Sequence, residues 1–155
     1  MSIAYLFFAG LFLIGMNSHA GVRLANLFGD HMVLQAGKEV SVWGWGTPGD
    51  EVTVSFAGHS VMAEVDAKGE WSIKLPAINK SFDGRKLVVS SKSGRRTLKD
   101  VLVGEVWVCG GQSNMEWTLR STRDADLEML SVKRPEIRFI RLPKVARFER
   151  QDDFP

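Results

Sequence analysis

From Val22 to about Val103 the sequence repeats one unit: a short run in which polar and apolar residues alternate, closed by a turn. Glu39-Val-Ser-Val-Trp-Gly-Trp45 and Val52-Thr-Val-Ser-Phe56 show the pattern most plainly, and Val61 to Val65, Trp71 to Leu75, Lys86 to Ser90 and Thr97 to Val103 follow it. Period two with β-branched and aromatic residues is the signature of a half-buried strand, because successive side chains leave a strand on opposite faces. Between the runs stand Thr47-Pro48-Gly49-Asp50, Ala57-Gly58, Asp66-Ala67-Lys68-Gly69 and Lys92-Ser93-Gly94. Glycine supplies positive φ in such turns, and proline presets φ near −65°. Six or seven strands at about ten-residue spacing predict an all-β sandwich, jelly-roll-like, over residues 21–103. Alternation places Trp43 and Trp45 on one face. Sandwich cores hold such aromatics, so core packing is expected for them and for Trp71, the alternative being a sugar-stacking platform.

Near Gly104 the pattern changes. Glu105-Val-Trp-Val-Cys109 reads as a strand buried on both faces, the kind found in parallel sheets. It runs into Gly110-Gly111 and a polar cluster. Ser121-x-x-Asp124 reads as a capping box for a helix over Ala125 to Val132, stopped by Pro135, and Glu136 to Leu142 then alternates as a strand. Strand, glycine turn, helix and strand open a βαβ unit. The chain of 155 residues has room for about one and a half domains. Residues 104–155 number 52, well short of the roughly 100–150 of a typical domain. The expectation is a truncated start of an α/β domain, with an unfinished sheet edge that is partly disordered or prone to aggregate.

Residues 1–20 stand apart. Ile3 to Met16 carry no charge, and at 1.5 Å per residue they would span about 21 Å, short of the roughly 30 Å of a bilayer core. Ser18 and Ala20 supply the small residues of a cleavage site before Gly21. A cleaved signal peptide is expected, with the mature chain exported to the periplasm or medium and no stable membrane span left. Cys109 has no partner in the chain, so in an oxidising compartment a buried, inert thiol is expected. Twenty Lys and Arg against eighteen Asp and Glu leave a net charge of +2, and adjacent basic residues such as Arg95-Arg96 occur only as isolated pairs. That is no nucleic-acid footprint.

Chemistry concentrates in Gly110-Gly111-Gln112-Ser113-Asn114-Met115-Glu116-Trp117. A strand that ends in two glycines and delivers a serine to a helical start is how α/β enzymes present a nucleophile. The glycines clear the substrate's approach, and the helix N-terminus offers unpaired N–H groups to an oxyanion. Met115 breaks the G-x-S-x-G elbow, and a serine in this place is equally an N-cap, so spacing alone leaves both roles open. Asp124-x-Asp126-x-Glu128 lacks the glycine and spacing of an EF-hand and reads as a solvated helix face. Arg138 and Arg141 fall on opposite faces of their strand, so a joint anion site with Arg134 is not expected.

The segment around Ser113 resembles the first block of the sialate O-acetylesterase family, carbohydrate esterases of the SGNH type. The likeness rests on Gly111-Gln112-Ser113-Asn114-Met115 behind Val103-Gly104-Glu105-Val106-Trp107, on Leu27-Phe28-Gly29-Asp30-His31-Met32-Val33-Leu34-Gln35 and on Val42-Trp43-Gly44-Trp45-Gly46. Pro48-Gly49, Gly69-Glu70-Trp71 and Leu75-Pro76 extend it. The resemblance implies hydrolysis of O-acetyl esters of sialic acid or a related acetylated sugar, with no metal or cofactor. Ser113 matches the nucleophile and supplies one oxyanion N–H, with Gly111, Gln112 and Asn114 forming the loop around it. The family's base is a histidine late in the hydrolase domain, with an aspartate just before it. His19 would leave with the signal, His31 matches a structural element and His59 a hairpin, so the chain alone is expected to be inactive. The rival reading is a non-catalytic carbohydrate-binding or interaction module built on the sandwich.

Overall fold

Alternation in the sequence becomes alternation in burial. A computed structural model describes residues 21–149 and 151–154. The expected signal peptide, residues 1–20, lies outside the described residues. Eight strands are found among those described: β1 (Arg23–Leu24), β2 (Val33–Gln35), β3 (Val40–Trp45), β4 (Glu51–Phe56), β5 (His59–Glu64), β6 (Glu70–Leu75), β7 (Ser81–Ser91) and β8 (Gly94–Gly104). Three form one sheet in the order β1-β3-β6, and five form the other in the order β2-β8-β7-β4-β5. All pairings are antiparallel except β2 with β8, where Val33, Leu34 and Gln35 run parallel to Leu102, Val103 and Gly104.

The two inner faces share one core. Val42, Trp71, Ile73 and Leu75 of the smaller sheet meet Val52, Val54, Phe56, Leu87, Val89, Leu98 and Val101 of the larger. Burying a side chain of this size contributes about 1.5–3 kcal/mol relative to leaving it exposed. The turns behave as their residues demand. Ala57 and Gly58 both take positive φ, 50° and 84°, in the two-residue loop joining β4 to β5, and such loops match the right-handed twist of the strands. Asp66 Oδ1 accepts from the Lys68 and Glu70 N–H groups at 2.8 Å each, closing the loop before β6.

One face assignment differs from the sequence reading. Val42 and Gly44 point into the core, which puts Trp43 and Trp45 on the outer side of β3, half-buried. Trp43 meets Phe28 edge to face at 4.7 Å, and the Arg23 guanidinium lies 3.8 Å over the Trp45 ring. Gly44 is where β1 approaches β3 most closely. A Cβ there would run into the Arg23 carbonyl, so β1 can lie this close only because the residue has no side chain.

Asp50 is the one buried charged residue among those described. It sits in the turn after Pro48, where Asp50 N–H donates to Thr47 O at 3.0 Å and Val65 N–H donates to Asp50 O at 2.8 Å. Lys92 Nζ stands 2.7 Å from Asp50 Oδ1 and is the cation paired with this buried carboxylate. The Lys92 ammonium holds the Asp50 carboxyl below its ordinary value of 3.8, against the opposing effect of burial. A carboxyl lowered by folding stabilises the fold above its unfolded pKa of about 3.9, and that contribution is lost as pH falls through the lower folded value. Acid titration of Tm is therefore expected to show a decline below about pH 4 that is shallower in Asp50→Asn. Equal acid limbs would refute the assignment.

Beyond Gly104 the described chain carries two short 3-10 turns, Ser113–Glu116 and Leu119–Ser121, and one helix, α1 (Ala125–Ser131). The helix falls where expected, but the capping box does not form. Asp124 is the N-cap, left-handed at φ 59° and without a side-chain bond, while Ser121 N–H closes the preceding turn onto Thr118 O at 2.9 Å. The two expected strands are also not formed. Residues 105–109 and 136–142 join no ladder, and Trp107 is 82% exposed. A strand buried on both faces needs neighbours along its edges and layers above and below, and the described residues supply neither. For the same reason Cys109 is exposed rather than buried.

Candidate active site

Ser113 opens the first 3-10 turn. Gln112 before it is extended, with φ −91° and ψ −160°, and makes no side-chain cap. Met115 N–H then bonds Gln112 O at 2.9 Å, and Trp117 N–H bonds Asn114 O at 3.2 Å. Gly111 permits this turn, because a Cβ there would lie 2.6 Å from Met115 Cγ. Gly111, Gln112, Ser113 and Asn114 are thus brought together on one exposed loop. A single 3-10 turn has little macrodipole, so the expected field of a helix N-terminus is weak here, and local N–H groups are what the loop can offer an anion. Glu116 at the end of the turn pairs with Lys144.

Among the described residues no base reaches the serine. Ser113 Oγ makes no hydrogen bond among the described residues. His31 Nδ1 is instead 2.7 Å from Asp100 Oδ2, and His59 pairs with Phe56 at the exposed start of β5. The Asp100 carboxyl is held below its ordinary value by the bond with His31, and next by the bond from Arg138, against desolvation. Sequence reasoning missed this cluster because 69 residues separate His31 from Asp100. Arg138 joins Asp100 and not Arg134 or Arg141.

A second polar contact reaches the sandwich from the far end of the chain. Arg23 Nη1 donates to Asp153 Oδ2 at 2.8 Å and Asn26 N–H to Asp153 Oδ1 at 2.9 Å. Burial pushes the Asp153 carboxyl up, and the bonds from Asn26, Arg23 and Phe154 N–H outweigh it, leaving it below the ordinary range. Beside β1 lies a cavity of about 510 Å³, lined among others by Val22, Arg23, Asn26, Phe28 and Arg96. None of the Ser113 loop takes part in it. The Trp43 ring is engaged by Phe28 and one face of the Trp45 ring by Arg23. Among the described residues no three His, Cys, Asp or Glu side chains converge as metal ligands, and no helix is long and apolar enough to cross a membrane.

No protein-family model matches the chain. Individual proteins do. Mouse sialate O-acetylesterase is 32% identical over 131 residues, covering 75% of this chain and 23% of that protein. The human sialate O-acetylesterase is 33% identical over 123 residues, covering 70% and 23%. Among solved structures, a carbohydrate acetylesterase from Xanthomonas citri superposes with a TM-score of 0.71 at 36% identity, over 74% of this chain and 26% of that one. The chain therefore spans about a quarter of the length of the relatives it matches. On these sequence and structural agreements, the chain belongs to the sialate O-acetylesterase family.

Proposed function

We propose that this chain is the part of an exported, serine-dependent carbohydrate O-acetylesterase that supplies the nucleophile, Ser113. Residues 21–103 are its sandwich and residues 104–155 the beginning of its SGNH-type α/β domain. The observation that carries the reading is the Ser113 loop, in which Gly111 lets Met115 pack close and the turn presents an exposed serine beside local N–H groups. Kinship with the acetylesterases supports the choice of an acetylated sugar as substrate.

Ser113 Oγ would attack the acetyl carbonyl and lose its proton to a base. Collapse of the tetrahedral intermediate would release the sugar hydroxyl and leave an acetyl ester on Ser113, which water then hydrolyses. The Ser113 N–H, with Gly111, Gln112 and Asn114 around it, would stabilise the oxyanion. The base is supplied from outside the described residues, since His31 is held by Asp100 and His59 lies on the β4–β5 hairpin. A serine hydroxyl without a base is a poor nucleophile, so the isolated chain is expected to release no acetate above buffer.

Covalent trapping tests the assignment directly. The complete esterase, treated with an alkyl fluorophosphonate, is expected to gain one phosphonyl group on the peptide bearing Ser113, as read by mass spectrometry. Labelling of a different serine, with Ser113 unmodified, would overturn it.

A further inference from the structure

We infer that Asp30–Gln35 is a positioning bracket that sets how the chain leaves the sandwich, with Asp100 as its hub and Arg138 as the group it receives. The segment grips the last turn of β8 and the residues beyond it at successive points. Asp30 Oδ1 accepts from Lys99 N–H at 2.8 Å, and His31 N–H donates to Lys99 O at 2.9 Å. His31 Nδ1 meets Asp100 Oδ2 at 2.7 Å. Leu102 N–H donates to Met32 O at 3.0 Å and Ala36 N–H to Gly104 O at 2.8 Å, flanking the parallel β2–β8 pairing. Past the end of β8, Gln35 Oε1 accepts from Val106 N–H at 3.0 Å, and Gln35 Nε2 donates to Glu105 Oε2 at 3.1 Å.

Two features mark the bracket as more than ordinary edge pairing. His31 and Asp100 both take left-handed backbone conformations, φ 63° and 54°, which non-glycine residues rarely adopt and which persist where surrounding contacts enforce them. The β7–β8 register shifts opposite this point, between Ser81 and Arg85 and between Arg85 and Leu87, so that an irregularity aims Asp100 out of the ladder. Gly84 faces it, and a Cβ there would overlap Asp100 Oδ1.

Asp100 then receives the following segment. Arg138 Nη2 donates to Asp100 Oδ2 at 2.9 Å and Nη1 to the Asp100 carbonyl, with the Arg138 side chain mostly buried. Six residues later Lys144 pairs with Glu116, three residues after Ser113. Contacts thus run from Asp30–Gln35 through Asp100 to Arg138, the chain itself carries on to Lys144, and Lys144 meets the Ser113 turn at Glu116. The bracket does not depend on the esterase reading, although its consequence for Ser113 rests on it.

Hydrogen exchange of the purified chain, with a nitroxide on the single, exposed Cys109, tests the bracket. Arg138→Ala and Gly84→Ala are expected to speed exchange across residues 105–145 at least tenfold and to mobilise the label. Exchange in β4 and β6 should not change, and Arg138→Lys should restore part of the protection. Unchanged exchange and mobility in Arg138→Ala, equal loss in β4 and β6, or a wild type without protection in 105–145 would overturn the proposal. Ser113→Ala should leave every one of these readings untouched, so failure of the nucleophile assignment would not be mistaken for failure of the bracket.

Discussion

Ser113→Ala is expected to lower kcat for acetyl-ester hydrolysis by the complete esterase about 1,000-fold or more, with KM little changed. The substitution removes one oxygen that bonds no described group, so stability should move by less than about 0.5 kcal/mol. The whole effect then falls on chemistry. On the proposed reading substrate is held by the surrounding loop and by groups outside this chain, which is why binding should survive. Loss of kcat alongside an unchanged Tm would satisfy both halves of the expectation. A variant with wild-type kcat would mean that another residue attacks the ester, and a variant with a collapsed Tm would mean that Ser113 holds the fold.

The largest effect on stability is expected at Phe56. Its side chain is 2% exposed at the end of β4, a strand flanked by β5 on one side and β7 on the other, and it belongs to the core shared by both sheets. Phe56→Ala removes the transfer free energy of the ring and leaves a cavity that close-packed neighbours fill only in part, at a cost of about 3–5 kcal/mol. Urea unfolding followed by tryptophan fluorescence should show a lower midpoint with the same slope, because the surface exposed on unfolding hardly changes. Met62→Ala on β5 is the control: that side chain is 61% exposed, and its loss should shift stability by less than about 0.5 kcal/mol. If both variants unfolded at the same urea concentration, the shared core would not be where the two sheets meet.

The longer strands were legible because period two survives in any run of five or more residues, and β3 to β8 each overlap an alternating run, although β5 begins earlier, at His59, and β7 extends back to Ser81. Arg23–Leu24 and Val33–Gln35 were not, since two or three residues carry no period. Alternation also gives parity without saying which parity faces inward. Bulk argued for Trp43 and Trp45, but Gly44, with no side chain to weigh, marks the inner face. The Ser113 loop was legible as a chemical pattern, while its setting was not, because Lys144 reaches Glu116 from a distant stretch of sequence. Glu105 to Cys109 shows the limit in the other direction. Its composition asks for a strand, and a strand is a property of at least two segments.

The parallel pairing of β2 with β8 has a kinetic consequence. Val33 and Leu102 become neighbours although they lie 69 positions apart, nearly the full sandwich, so their contact carries a large loop-closure entropy and a high contact order. The β4–β5 hairpin can form on its own; this pairing cannot form until the strands between have been laid down. The seam at which the sandwich hands the chain onward should therefore close on the far side of the folding barrier, with φ-values near zero at Val33 and Val103. Values near one would reverse that order. Weakening substitutions in the seam would then quicken unfolding while leaving the rate of folding almost unaltered.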